Sequence, residues 1–146
     1  MNTRPHPDIP VTSDAELTER WRELLHLDGP PSQRRLFLAW FRRDGTMVPL
    51  LIPVEELPQE PDRVAIGNLA DLHSVVAESE DVDPTDLHLA MCLERPGPAT
   101  PTPDDAAWST AIESIVRDRD GLDCSVHVGN GRTATPLLSR RSWPAP

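Results

Sequence analysis

Apolar residues recur at helical spacing in three segments of the chain. A capping box from Ser13 to Glu16 opens the first helix, and Gly29 ends it. A second helix follows Asp62, and a third follows Thr102, which is a typical N-cap residue before a proline and two acids. Each helix is predicted to bury one face, formed by Leu17, Trp21, Leu24 and Leu25, by Val64, Leu69, Leu72 and Val76, and by Trp108, Ala111, Ile112 and Ile115.

Apolar segments of strand length alternate with these helices. Residues 35–41 and 47–54 are joined by Asp44-Gly45, a strong hairpin signal because glycine tolerates positive φ. Pro49 and Pro53 each remove a backbone donor, so the second strand is expected at an edge of the sheet or broken by bulges. Residues 87–93 are almost continuously apolar, which is typical of a strand buried on both faces. Residues 122–128 and 133–138 are predicted as the last two strands.

The order of these elements is helix, hairpin, helix, strand, helix, strand, strand. Two strands connected through a helix favour a parallel pair with a right-handed crossover. We therefore predict an α/β domain of two or three layers, in which helices flank a mixed β-sheet. The domain is expected to span residues 13–138, after a proline-rich, disordered segment at 1–12 and before a tail at 139–146.

Charge narrows the range of partners. The chain has 146 residues, with 24 acidic against 14 basic side chains, and a net charge of −10. Such a surface repels a phosphate backbone, so nucleic acid is not expected, and a basic protein is the easiest partner to reconcile with the charge. No window approaches the length of a membrane span, and no signal-peptide pattern is present. We expect a cytoplasmic protein whose Cys92 and Cys124 are free thiols.

The second half of the chain carries a family resemblance. It reads L-H-L-A-M-C-L-E-R-P-G-P from Leu87, then a helix from Pro103, then L-D-C-S-V-H-V-G-N-G. This order resembles the core of the JAB/MPN metalloprotease-like family in its RadC branch, where a strand runs into H-x-H-P-S-G, a helix starts at P-S-x-x-D, and a strand ends in V-G-D-G. The resemblance covers about residues 34–138 and implies a mixed sheet with cytidine-deaminase-like layering and the hairpin first.

The same resemblance argues against the family's chemistry. JAB enzymes hold zinc with two histidines and an aspartate and keep one position open for water. Here the histidine positions fall on Leu93 and Arg95, neither of which can be a ligand, and the aspartate falls on Asp105. The motif's serine falls on Gly97. Glu55 and Glu56 lie near where the family's general base would be sought. No catalytic residue, metal or cofactor is therefore assigned, and Asp105 is interpreted first as a helix cap.

Other residues that could bind a metal are interpreted as core residues. His88, Cys92, Cys124 and His127 lie on two strands expected to be near neighbours. His88 and Cys92 have the same facing but stand about 13 Å apart, and Cys124 and His127 face opposite ways. Buried thiols and partly buried histidines are the expected outcome.

Three functional hypotheses follow. The first is a non-catalytic JAB/RadC-like binding or scaffolding protein. The second is a metal-dependent, peptidase-like hydrolase with relocated ligands, and the third is an acidic partner of a basic protein, as antitoxins and immunity proteins are. By default the charged strand end is a solvated rim, and its proline-stiffened loop would lose little entropy on meeting a partner. The candidate contact residues are Glu94, Arg95, Pro96, Gly97, Pro98 and Thr102.

Overall fold

The computed structural model describes residues 9–26 and 29–144, and within them the chain is a mixed α/β domain. The helices are α1 (Asp14–His26), α2 (Arg63–Gly67), α3 (Leu69–Ser79) and α4 (Pro103–Ile112), which continues as a π-helical segment, Glu113–Arg119; a 3₁₀ turn spans Pro84–Asp86. The strands are β1 (Arg35–Phe41), β2 (Met47–Val54), β3 (His88–Glu94), β4 (Cys124–Gly129) and β5 (Ala134–Leu138). The predicted element order is confirmed, apart from a division in the second helix.

The five strands form one sheet in the order β2-β1-β3-β4-β5. Only β3 and β4 run parallel, with Leu89 paired to Cys124 and Glu94 to Gly129, and the other pairs are antiparallel. β2 lies at the edge, and its pairing with β1 shifts register between Ala39 and Phe41 of β1, where Pro49 lies on β2, as its prolines predict. We call the side on which β3 and β4 end the carboxyl edge, and the side on which they begin the amino edge.

Helices cover both faces of the sheet, so the domain has three layers. On one face, α2, α3 and α4 pack over a core that includes Leu38, Leu89 and Met91. On the other, α1 packs over Phe37, Ala90 and Cys92 among others. All seven residues of β3 are buried, and burial on both faces explains why residues 89–93, between His88 and Glu94, are all apolar.

Trp108 is the largest side chain that α4 contributes to this core. It is 1% exposed and lies with the alternate residues of β3, as the apolar face of the helix predicts. Its indole Nε1 donates to the carbonyl oxygens of Pro58 and Gln59, both at 3.1 Å, so burial leaves no polar atom of the ring unsatisfied.

The second predicted helix is divided in the structure. The Asp62 carboxylate caps α2 by accepting from the Ala65 amide at 3.0 Å, and the helix ends at Gly67, next to Asn68. Glycine is a poor helix former, which accounts for the division at this point. None of the helices in the described ranges is long and apolar enough to pass through a bilayer.

Both chain ends contact the domain as far as the structure describes them. Residues 1–8 and 145–146 lie outside the described residues, so the predicted disorder is not addressed there. Val11, however, is buried, and its amide donates to Gly45 at 2.8 Å. A Cβ on Gly45 would stand 2.5 Å from the Val11 carbonyl, so glycine is required at this approach. At the other end, the Trp143 indole donates to Asp14 at 3.0 Å.

Candidate functional site

The carboxyl edge is organised around a buried ion pair. Arg95 follows directly after β3, and Asp105 is the third residue of α4. The Arg95 guanidinium grips the carboxylate in a bidentate fashion, with Nε 2.9 and 3.0 Å from the two carboxylate oxygens and Nη2 2.5 Å from Oδ2. Arg95 is 6% exposed and Asp105 is fully buried. A second guanidinium, that of Arg34, stands 3.8 Å from Asp105.

Asp105 also closes the N-terminus of α4, as predicted. The Thr102 hydroxyl accepts from the Asp105 amide at 3.3 Å, and the Asp105 carboxylate accepts from the Thr102 amide at 2.9 Å, forming a capping box. Burial alone would raise the pKa of Asp105, but the hydrogen bonds from Arg95 and Thr102 outweigh it and the pKa is lowered. The hydrogen bond to Asp105 correspondingly raises the pKa of Arg95. The pair is therefore fully charged at neutral pH.

Arg95 also fixes the loop that follows it. Its guanidinium donates to the carbonyl oxygens of Pro96, Pro98 and Thr100, at 3.2, 2.7 and 2.9 Å. The Asn130 side chain donates to the Gly97 carbonyl at 2.9 Å. Pro96, Gly97 and Pro98 consequently remain exposed on a loop whose backbone is held from below.

The default interpretation of Glu94 and Arg95 as a solvated rim is wrong. Glu94 is fully buried and pairs with the guanidinium of Arg35, which also stands 3.9 Å from Glu55. Arg95 donates inward to Asp105 and to the loop carbonyls, so it does not offer a bidentate donor to a partner. A charged side chain that is shielded from water must be paired with an opposite charge. The end of β3 is covered by protein, so these two side chains pair with protein groups instead of solvent. Thr102 is half-buried by its capping role.

The remaining positions of the resemblance are Leu93, Glu55 and Glu56. Leu93 is 1% exposed and packs in the core beneath α4. Glu55 reaches the same edge through Arg35, and Glu56 is exposed in the left-handed region, at φ 55°. Within residues 9–26 and 29–144, no three histidine, cysteine, aspartate or glutamate side chains converge on a point where they could hold a metal ion.

The amino edge holds a different polar group, formed by Asp123, His88 and Ser125. His88 Nε2 lies 2.9 Å from the Ser125 hydroxyl, and its Nδ1 lies 3.1 Å from Asp123 Oδ2. Arg140 also contacts Asp123, at 2.6 Å. Burial lowers the pKa of His88 although Asp123 opposes the shift, so the ring is neutral at pH 7.

The order aspartate, histidine, serine is that of a nucleophilic triad, but the surroundings are those of a protein core. His88 and Ser125 are each 1% exposed, and the Trp143 ring lies 6.3 Å from the imidazole, centroid to centroid. A nucleophile must reach a substrate atom at about 3 Å, and this hydroxyl has no open approach. The arrangement therefore places buried polar groups beside one another on the α1 face of the sheet.

His127 extends this polar strip toward α1. Its Nε2 lies 2.8 Å from the Thr18 hydroxyl, and the side chain is 2% exposed. Burial lowers the pKa of His127 to about 4, against a smaller opposing effect of Asp14. Like His88, it is a neutral imidazole in the folded protein at neutral pH.

The two cysteines are free and buried, as expected for core thiols. Cys124 lies in the core under α4 and Cys92 in the core under α1, so they are on opposite faces of the sheet. Burial raises the pKa of Cys124 to about 11 and that of Cys92 well above its usual value. Neither thiol is activated as a nucleophile.

Sequence reasoning missed Asp123 and Ser125. The signal was present in the alternation of the two strands. In the parallel register Ala90 lies beside Ser125, and His88 shares the facing of Ala90 because it is two residues away. Aligning the two segments in parallel would have brought the histidine and the serine together. Comparison with family models, curated proteins and solved structures gives no match to this chain.

Proposed function

We propose that this chain is a non-catalytic, JAB/RadC-like binding module that presents the loop 96–101 to a partner protein. One observation carries the proposal: the Arg95 guanidinium binds the Asp105 carboxylate and three carbonyl oxygens of the loop at once. The positively charged guanidinium of Arg95 is therefore bound to Asp105, the carboxylate that the resemblance equates with a metal ligand.

The state of Asp105 supports the absence of metal chemistry. Its two oxygens already accept from Arg95 and from the Thr102 amide, and Arg34 adds a further positive charge. A divalent ion at this point would have to displace a bidentate guanidinium and would be repelled by the charges around it. Oδ2 accepts from the guanidinium and from the Thr102 amide, and Oδ1 accepts from the guanidinium, so a metal ion would compete with these donors for the carboxylate.

The state of the loop supports binding. Proline rings and the Arg95 contacts hold the backbone in one conformation, so little entropy is lost when a partner docks. The exposed surface of Pro96, Gly97 and Pro98 carries no charge, which suits an apolar contact. The surrounding protein carries a net charge of −10, which would speed the approach of a basic partner.

Affinity capture with three versions of the chain tests this proposal. The wild type, a variant with residues 97–101 replaced by Gly and Ser, and a hairpin control, Asp44→Asn, are immobilised and exposed to lysate of the source cells. A protein retained by the wild type and the control but lost from the loop variant is expected. Loss of that protein at high salt would indicate a charged partner. Retention of the same proteins by all three versions would contradict the proposal.

Metal content tests the second part of the proposal, that the chain has no metal site. Elemental analysis of protein purified without chelator is expected to find zinc far below one atom per chain. Zinc near one per chain that disappears in Asp105→Asn would favour the alternative, a hydrolase with relocated ligands. Arg95→Ala is not a clean probe of binding, because it also leaves a buried carboxylate without its cation.

A further inference from the structure

A cleft of about 400 Å³ opens at the amino edge, beside Asp123. It is formed by the turn after β1, the 3₁₀ turn before β3, the end of the π-helical segment and the tail after β5. Its charged lining residues are Arg43, Asp86, Arg117, Asp123, Arg140 and Arg141. The volume lies within the range of small-molecule sites.

The charge of this lining is opposite to that of the whole chain. Acids outnumber bases by 24 to 14 along the sequence, whereas the cleft has four arginines and two aspartates. These arginines come from three separate stretches of the chain, so no single run of basic residues accounts for their meeting. A cavity that concentrates positive charge in an acidic protein favours anions over other ligands.

The floor of the cleft is fixed by internal contacts. Arg140 stands 2.6 Å from Asp123 and lies over the Trp143 ring, at 4.9 Å from its centroid. Arg117 donates to the carbonyl oxygens of Cys124 and Ser139, both at 2.7 Å. Arg140 and Asp123 neutralise each other, and Arg117 stands 3.7 Å from Glu113, so the arginines available to a ligand are those at the rim of the cleft.

The arginines at the rim of the cleft are exposed to solvent. The side chains of Arg43 and Arg141 are 77% and 67% exposed. Their partners, Asp86 at 3.4 Å and Asp118 at 3.0 Å, are themselves solvent-accessible. Ion pairs of this kind contribute little energy, so each guanidinium can turn to a ligand at small cost.

We propose that this cleft binds a small molecule through a carboxylate or phosphate group, with Arg43 and Arg141 as the donors that close on the anion. Two guanidinium groups at a rim provide the forked donor geometry that both anions accept. The site lies at the edge opposite to the loop 96–101, so it goes beyond the proposed partner binding and stands or fails separately from it.

Calorimetric titration of the full chain at constant ionic strength tests the site. The probes are inorganic phosphate, phenyl phosphate and benzoate. The chains are wild type, Arg43→Gln/Arg141→Gln, and the control Arg22→Gln, which removes an exposed arginine paired with Glu19 at 2.8 Å on α1. At least one probe is expected to bind the wild type and the control equally and to bind the double variant at least tenfold more weakly.

The pattern among the probes identifies the ligand class. Binding of the two phosphates without benzoate assigns the phosphate class, and binding of benzoate without either phosphate assigns the carboxylate class. No saturable binding of any probe, or equal affinity in the double variant, would overturn the proposal. The side chains of the two rim arginines are mostly exposed, so matching thermal unfolding curves are expected and verify that the double variant is folded.

Discussion

The two edges of the central sheet bury polar groups by opposite means. At the carboxyl edge, Arg95 and Asp105 are both charged and neutralise each other, and their contacts close that end of the domain. At the amino edge, His88 is kept neutral beside a hydroxyl and a carboxylate, and a cleft remains open. Removing one partner of a buried charged pair destabilises the fold, because the other charge is left unpaired. A buried neutral imidazole destabilises the fold when acid protonates it. The carboxyl edge should therefore be sensitive to mutation of either charged residue, and the amino edge should be sensitive to acid.

Removing the carboxylate charge should have the largest effect. Asp105→Asn keeps the shape of the side chain but leaves the Arg95 guanidinium buried without its counter-charge. We expect a loss of about 3–5 kcal/mol in the free energy of unfolding, measured by urea denaturation. The matched control is Asp104→Asn, since Asp104 is adjacent and 38% exposed, accepts from the Gln59 side chain at 2.7 Å, and stands 3.9 Å from Arg34. The control should lose less than about 1 kcal/mol, and equal losses would mean that the pair is not what stabilises this edge.

The second largest effect is expected from acid, which should lower the free energy of unfolding through His127. The pKa of His127 falls from 6.5 unfolded to about 4 folded, so the unfolded chain binds the proton first. The free energy of unfolding is therefore full above pH 6.5 and decreases as the pH falls toward 4, by about 3 kcal/mol from this residue.

A variant isolates the contribution of that histidine. His127→Gln should remove the contribution of this residue and leave that of His88, whose pKa burial also lowers, whereas His26→Gln, at an exposed position, should keep both. Urea denaturation at pH 7 and pH 4.5 gives the comparison. An unchanged difference between the two pH values in His127→Gln would show that the acid sensitivity arises elsewhere.

Ser125→Ala should cost less, because the group it leaves behind is neutral. His88 Nε2 loses its hydroxyl partner while buried, which costs about 1–3 kcal/mol. Ser74→Ala, on the exposed face of α3, is the control and should not destabilise the protein. If the two variants unfold at the same denaturant concentration, the contact between His88 and Ser125 contributes nothing to stability.

The smallest effect is expected at the cap of α4. Thr102→Ala removes the side-chain acceptor for the Asp105 amide and should cost about 1 kcal/mol. Thr110→Ala, exposed in the same helix, serves for comparison. A loss from Thr102→Ala as large as that from Asp105→Asn would mean that the cap, and not the ion pair, governs the carboxyl edge.

Features that depend on neighbouring residues could be predicted from the sequence. The pairing of charged residues that are separated along the chain could not. The hairpin at Asp44-Gly45, the edge position of β2 and the cap at Thr102 each depend on a few neighbouring residues, and all three are confirmed. The ion pair between Arg95 and Asp105 depends on the conformation of the loop between them, which brings two residues ten positions apart into contact. A periodic pattern contains no information on that conformation.

The same limit applies at the amino edge. His88 and Ser125 are 37 positions apart, and only the register of two parallel strands brings them within 2.9 Å. The cleft needs four segments to meet, including a tail that sequence analysis treated as an appendage. These features arise from tertiary packing, whereas the strands and helices that position them follow from local pattern.

The prolines of the two outer strands have a consequence for association. β2 contains Pro49 and Pro53, and β5 contains Pro136, so both borders of the sheet lack backbone donors at these positions. A strand from another molecule cannot form a continuous ladder there, which disfavours both fibril-like stacking and recruitment of a partner by β-augmentation. Both borders of the sheet are therefore poor templates for an added strand.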